Sequence, residues 1–257
     1  MGVHRAGSTA LQSYLKASKT ALDKTDTMLL VRENMKGVTF KGNLTKLKNI
    51  PHNSLIRKYL EKQIKSELHR IPNRQVLISE ENLIGGMPVM RSGMNAAYPK
   101  FDNFLESLSN WRQDFEIIPR VIVRRQDRWI ESLYAFQIYK GLAARFSEFV
   151  AYFNRINLDW NPYLNSLQQY GLLENSLIAP LQSFSGKKHH EWIPDFLSLD
   201  ATCFENKNVG TNERMLLRDL KVFWALNKTG WAKGKREERR RLHRSVVSLS
   251  PEYGNRD

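Results

Sequence analysis

The stretch that decides the fold is Ile118-Pro-Arg-Val-Ile-Val123, followed directly by Arg124-Arg-Gln-Asp-Arg-Trp-Ile-Glu-Ser-Leu-Tyr134. The β-branched run predicts a buried strand over 119–123. The apolar spacing of Trp129, Leu133 and Phe136 predicts a helix immediately after it. This is the strand-to-helix unit of an α/β protein.

The same alternation continues along the chain. Short apolar runs followed by polar or basic residues predict further strands at 28–31, 76–78 and 176–179. Helical patterns lie between them at 9–22, 54–69, 101–114, 129–141, 146–157 and 161–170. We therefore expect an α/β fold in which a parallel sheet is flanked by helices on both faces.

A glycine-framed turn, Gly2-Val-His-Arg-Ala-Gly7, precedes the helical pattern at the amino terminus. A turn of this kind points backbone N–H groups and the positive end of the helix dipole at one spot, which suits a phosphate. The glycine gap is that of a Walker A loop, but Ser8 stands where that loop needs lysine. The candidate phosphate loop is Arg5, Ala6, Gly7, Ser8 and Thr9; an ordinary turn before a helix is the alternative.

Arg124 and Arg125 leave the strand over 119–123 at its carboxyl end, the edge of a parallel sheet where ligands collect. Adjacent arginines repel each other, so an anion at this edge would stabilise them. The alternative is that they pair with Asp127 and Glu131 and only line the rim of the sheet.

Together these segments resemble the sulfotransferases that use 3′-phosphoadenosine 5′-phosphosulfate (PAPS). Arg5–Thr9 resembles the family's loop for the 5′-phosphosulfate end, with arginine in place of the usual lysine. Arg124 and Ser132, eight residues apart, resemble its motif for the 3′-phosphate. The resemblance extends to Ser79-Glu-Glu-Asn-Leu83, and to Asn208-Val209 followed by a helix that ends near Asn227. It implies a P-loop-like fold, PAPS as donor without a metal, and Asn208 near the 3′-phosphate; a plain helix entry is the alternative for Asn208.

The resemblance also implies a general base that takes the proton of the acceptor hydroxyl. Glu81 is the first candidate because it follows the strand over 76–78 and related enzymes place a base there. Glu80 is the alternative, since the sequence does not decide which neighbour faces inward. His4 is the third candidate, although neighbouring phosphates would favour its protonated form, which is a poor base. Helix capping or exposure to solvent is the alternative for either glutamate.

Composition bounds these expectations. The chain has 257 residues, 41% of them hydrophobic, a net charge of +14 and one cysteine, which excludes an intramolecular disulfide. Residues 233–244 carry seven Lys or Arg against two Glu. We predict an α/β domain over 1–231 and a basic carboxyl-terminal segment over 232–257. That segment is either a solvated helix or tail, or a contact for an anionic partner.

The expected activity is transfer of a sulfuryl group from PAPS to a hydroxyl of a carbohydrate or glycolipid. The alternative is a non-catalytic α/β protein that binds anions or nucleic acid, nucleic acid being the less favoured partner. No apolar run is long enough for a membrane helix. We expect a cytoplasmic protein, with peripheral membrane association as a further option. Because the chain begins almost at the loop, a truncated or misassigned start is also expected.

Overall fold

The computed structural model describes residues 7–31, 39–47, 49–51, 53–72, 75–79, 83–90, 97–155, 159–205, 217–231 and 236–249. Within this part of the chain the structure is α/β, as the sequence predicts, with more helix than strand. None of its helices combines the length and the apolar character needed to cross a membrane.

All four predicted strands are present and shift by only a residue or two at their ends. They are β1 (Thr27–Val31), β2 (Gln75–Ser79), β3 (Arg120–Val123) and β4 (Leu177–Pro180). The predicted parallel pairing is also found: β1 pairs with β2, and β3 pairs with β4. The prediction of one sheet is not met in the described residues, where the strands form two separate two-stranded sheets. Apolar runs reveal strands, but their hydrogen-bonding partners depend on tertiary packing.

The helices follow the predicted order, with one correction. The pattern over 9–22 forms two helices in place of one, because the chain turns at the buried Ser18. Two helices, over 39–47 and 189–197, were not predicted. In chain order the helices are α1 (Ser8–Ala17), α2 (Lys19–Lys24), α3 (Thr39–Leu47), α4 (Leu55–His69), α5 (Phe101–Trp111), α6 (Gln126–Tyr139), α7 (Phe146–Asn154), α8 (Asn161–Gln169), α9 (His189–Leu197), α10 (Leu217–Lys228) and α11 (Arg236–Leu249).

The chain divides into two compact units. The first takes its residues from Met1–Pro88, Ala96–Arg125 and Asp159–Thr211, and the second from Val89–Asn95, Gln126–Leu158 and Asn212–Asp257. Both sheets belong to the first unit. The predicted boundary between a 1–231 domain and a 232–257 segment stays a prediction.

The first unit has an apolar cluster that packs α3, α4 and α5 against β1. Its buried members include Leu30, Ile64, Phe104 and Trp111. Beside this cluster the side chain of Arg57 is only 2% exposed, and its Nη2 donates to the Asn103 carbonyl at 2.7 Å and to Ser107 Oγ at 2.6 Å. A buried guanidinium is tolerated because its donors are satisfied and carboxylates lie nearby.

The second unit is helical in its described part. Ala135 and Ile138 of α6 pack on Leu220 and Phe223 of α10. Asn227 at the end of α10 is buried, and its Nδ2 donates to the Ile138 carbonyl at 2.7 Å and to the Leu142 carbonyl at 2.9 Å. These two bonds tie the end of α10 to the end of α6.

Candidate functional site

The candidate phosphate loop is described from Gly7 onward. Gly7 precedes α1 with φ 81° and ψ 6°, a left-handed conformation that a residue with a Cβ adopts only with strain. Its carbonyl accepts from the Leu11 amide at 3.1 Å, so the helix begins at once with Ser8 and Thr9. The first turn of a helix carries the positive end of the helix dipole. His4, Arg5 and Ala6 lie outside the described residues.

The first half of α1 and the turn before it contact the carboxyl ends of strands from both sheets. Gln12 Nε2 donates to the carbonyl of Ser79, the last residue of β2, at 3.1 Å. Gly7 lies against Leu181, which directly follows β4; a Cβ added at Gly7 would be 3.0 Å from Leu181 Cδ1. Ligands of parallel α/β proteins bind at this edge of a sheet. Neither Gln12 nor Leu181 carries a sequence signal that would have marked it as part of this arrangement.

Arg124 leaves β3 at the same edge. Val123, the last residue of β3, pairs with Pro180, so Arg124 and Leu181 are the next residues of the two paired strands. The Arg124 side chain is half-buried, and its carbonyl accepts from Trp160 Nε1 at 2.8 Å. The first unit therefore gathers the turn at Gly7 and the exit of Arg124 around the end of β4. No pattern in the sequence around Trp160 indicates this bond.

Ser132 lies in α6 and belongs to the second unit. Its side chain is buried, with 3% exposed, among the apolar residues of that helix. Arg124 belongs to the first unit, so their joint role in binding a 3′-phosphate stays a prediction from the eight-residue spacing. Glu131, one of the two carboxylates considered as partners of Arg124 and Arg125, accepts a hydrogen bond from Arg128 Nη1 at 3.3 Å.

The candidate bases and the segment Asn208-Val209 are not described. Glu80, Glu81 and Asn208 lie outside the described residues, as His4 does. What the structure does give is the end of β2 at Ser79, the residue before Glu80 in the chain, and its bond to Gln12 of α1. The helix predicted to end near Asn227 is present as α10 and ends at Lys228.

Aromatic packing fixes the orientation of α1. Tyr14 is fully buried between the rings of His189 and Phe204, with centroid distances of 5.8 and 6.2 Å. Its hydroxyl donates to the Glu205 carbonyl at 3.1 Å. Burial raises the pKa of Tyr14 and lowers the pKa of His189, and both shifts favour the neutral form of the side chain. This packing fixes the position of α1 relative to the carboxyl ends of β2 and β4.

The described part of the basic carboxyl-terminal segment is α11. Leu242 packs against the apolar cluster of α6 and α10, and the ring of His243 lies 5.4 Å from that of Tyr139. Arg240 and Arg244 reach Glu237 at 3.4 and 3.5 Å. The segment therefore contains a packed helix with a basic outer side.

In the described residues no group of three or more His, Cys, Asp or Glu side chains could hold a metal ion. No protein-family model, curated protein sequence or solved structure matches this chain.

Proposed function

We propose that this chain is a PAPS-dependent sulfotransferase with a P-loop-like fold, acting on a hydroxyl of a carbohydrate or glycolipid. The observation that carries the proposal is the position of the Gly7 turn. It opens α1 with a left-handed backbone beside the carboxyl end of β4, Gln12 of that helix bonds to the end of β2, and Arg124 follows the end of β3. A ligand with two phosphates placed there would meet the positive end of a helix with one phosphate and a half-buried cation with the other.

The residues present suit the donor. Because Gly7 has no side chain, the 5′-phosphosulfate end could approach the backbone of Ser8 and Thr9 closely, and Arg5 would supply charge inside the loop. Arg124 and Ser132 would hold the 3′-phosphate, as their spacing in the resemblance implies, with Asn208 near it. A guanidinium can bind a phosphate through two parallel hydrogen bonds, which fits recognition of this group.

The chemistry requires alignment and one proton transfer. The acceptor oxygen forms a bond to sulfur while the bond between sulfur and the 5′-phosphate oxygen breaks, which releases adenosine 3′,5′-bisphosphate. The acceptor proton passes to a base, for which Glu81 is the first candidate and Glu80 and His4 the alternatives. The positive end of α1 and Arg5 would stabilise the charge that develops on the leaving phosphate.

The decisive experiment compares two nucleotides by calorimetry. Adenosine 3′,5′-bisphosphate should bind much more tightly than AMP. Arg124→Ala should weaken the bisphosphate by about 10- to 150-fold, the range of a charged hydrogen bond, and leave AMP unchanged. Arg128→Ala is the matched control, because Arg128 is exposed and bonds to Glu131. Equal losses for both nucleotides would show that Arg124 does not read the 3′-phosphate.

The second candidate function is binding of a polyanion without catalysis, and the basic side of α11 favours it. Salt dependence separates the two. Affinity for nucleic acid falls as the salt concentration rises. The fall is steeper when the protein neutralises more phosphates. A donor site should show a shallow dependence and a strong preference for the 3′-phosphate. Tight, strongly salt-dependent binding of nucleic acid with no such preference would favour the second candidate.

A further inference from the structure

The first two turns of α4 expose three large apolar side chains. Leu55 is 81% exposed, Ile56 63% and Tyr59 61%, the highest values among the exposed large apolar side chains of the described residues. Single exposed apolar residues are ordinary, but a group on one short stretch of helix marks an interaction surface. We call Leu55, Ile56 and Tyr59 the α4 apolar tip.

The α4 apolar tip is held outward by a well-anchored helix. Arg57, Leu60 and Ile64 lie on the opposite side of α4 and are buried. Arg57 donates to the Ile50 carbonyl and to α5, so rotation of α4 about its axis would expose a buried charge. The tip therefore cannot be buried by turning the helix inward.

Basic residues flank the α4 apolar tip. The three- and four-residue spacing of Leu55, Lys58, Tyr59 and Lys62 places these side chains on the same side of the helix. Glu61 does not neutralise the lysines, because its Oε1 accepts from Arg57 Nε at 3.1 Å and from Ser107 Oγ at 2.8 Å. The outward side of α4 is thus apolar at its amino end and cationic beside it.

We propose that the α4 apolar tip, with Lys58 and Lys62, docks on an anionic membrane surface. Apolar side chains next to lysines suit the boundary between acyl chains and negatively charged headgroups, where both kinds of group are satisfied. A second copy of this chain fits less well. A two-fold contact would bring the lysines of both copies together, and three side chains fall well short of the roughly 800 Å² that each partner buries in a standard interface.

The test is sedimentation of the full chain with vesicles of equal parts phosphatidylcholine and phosphatidylglycerol. Binding should be much weaker to phosphatidylcholine alone and should fall with salt. The double substitution Leu55→Ser and Ile56→Ser should lower the partition coefficient at least about tenfold. Lys58→Gln and Lys62→Gln should each lower it about fivefold. Val222→Ser and Lys187→Gln, at exposed positions outside α4, are the controls and should bind as the parent chain does.

A second readout locates the contact without depending on affinity. A polarity-sensitive fluorophore on Tyr59→Cys, in a Cys203→Ser background, should shift to shorter wavelength with anionic vesicles. The same label on Val222→Cys should not. Circular dichroism checks that each variant is folded.

The proposal is overturned if the parent chain does not sediment with anionic vesicles. It is equally overturned if the α4 variants bind as well as the controls. A dimer in analytical ultracentrifugation that Leu55→Ser dissociates, without vesicle binding, would assign the α4 apolar tip to a second copy. The test uses no nucleotide, so its outcome is independent of the proposed activity.

Discussion

Replacing Gly7 with alanine tests the turn on which the candidate site depends. An L-residue at φ 81° is strained by about 1–2 kcal/mol. The new Cβ would also lie 3.0 Å from Leu181 Cδ1, inside ordinary van der Waals distance, and moving that leucine off its rotamer costs about 0.5–1.5 kcal/mol. Against this, alanine restricts the unfolded chain and returns about 0.4–1 kcal/mol. The expected net loss in the free energy of unfolding is about 0.5–3 kcal/mol.

Gly186 provides the matched control. Its φ is +79°, but a Cβ there would meet nothing within 4 Å. Gly186→Ala should therefore cost only the backbone strain of an L-residue at positive φ, and it should be less destabilising than Gly7→Ala. In a Leu181→Ala background, Gly7→Ala should lower the free energy of unfolding by about as much as Gly186→Ala does. The reason is that Leu181→Ala removes the atom that the new Cβ approaches.

Urea unfolding followed by circular dichroism measures these differences, provided that the slopes match the parent protein. The reasoning about the turn is refuted if the free energy of unfolding of Gly7→Ala lies within about 0.5 kcal/mol of the parent value, because neutral surface substitutions fall in that range. Calorimetry with adenosine 3′,5′-bisphosphate then tests the site. Gly7→Ala should weaken binding and Gly186→Ala should not. A loss of stability without a loss of binding would support the inference of a strained turn at Gly7. It would contradict the role of that turn in binding phosphate.

Three further predictions concern the base, the buried guanidinium and a half-buried histidine. Glu81→Gln should reduce turnover about 10²- to 10⁴-fold with unchanged donor affinity, measured with labelled donor against a panel of sugars; full turnover would place the base elsewhere. Arg57→Met should lower the free energy of unfolding by about 3–5 kcal/mol in urea, because it leaves Glu61 without its charged partner; a loss below about 1 kcal/mol contradicts this. Because burial lowers the pKa of His189, the unfolded chain binds its proton more readily, so stability should decline as the pH falls from about 7 through about 6.5 toward the lowered value. His189→Gln should flatten that part of the profile of urea midpoint against pH, and an unchanged slope would assign it to other groups.

The elements that were predicted well carry their signal locally. The four β-branched or apolar runs give four strands, and α4, α5 and α8 begin within a residue of their predicted starts. The helices that were missed lack that local signal. The segment of α3 contains Gly42 within its sequence, and α9 contains Pro194, so intrinsic propensity is low in both. Burial of Trp192, Ile193 and Phe196 is what stabilises α9, and that depends on its neighbours in the fold.

The sequence by itself determined the kinds of element, the glycine at the turn before α1 and the arginine at the exit of β3, because these follow from conformational preference and side-chain period over a few residues. Only the tertiary structure decided that Gln12 bonds to the end of β2, that Gly7 lies against Leu181, and that the strands pair as two sheets. The physical reason is that each such contact joins segments far apart in the chain. The free energy of such a contact depends on how the intervening segments of the chain pack, and a local sequence pattern does not predict that packing.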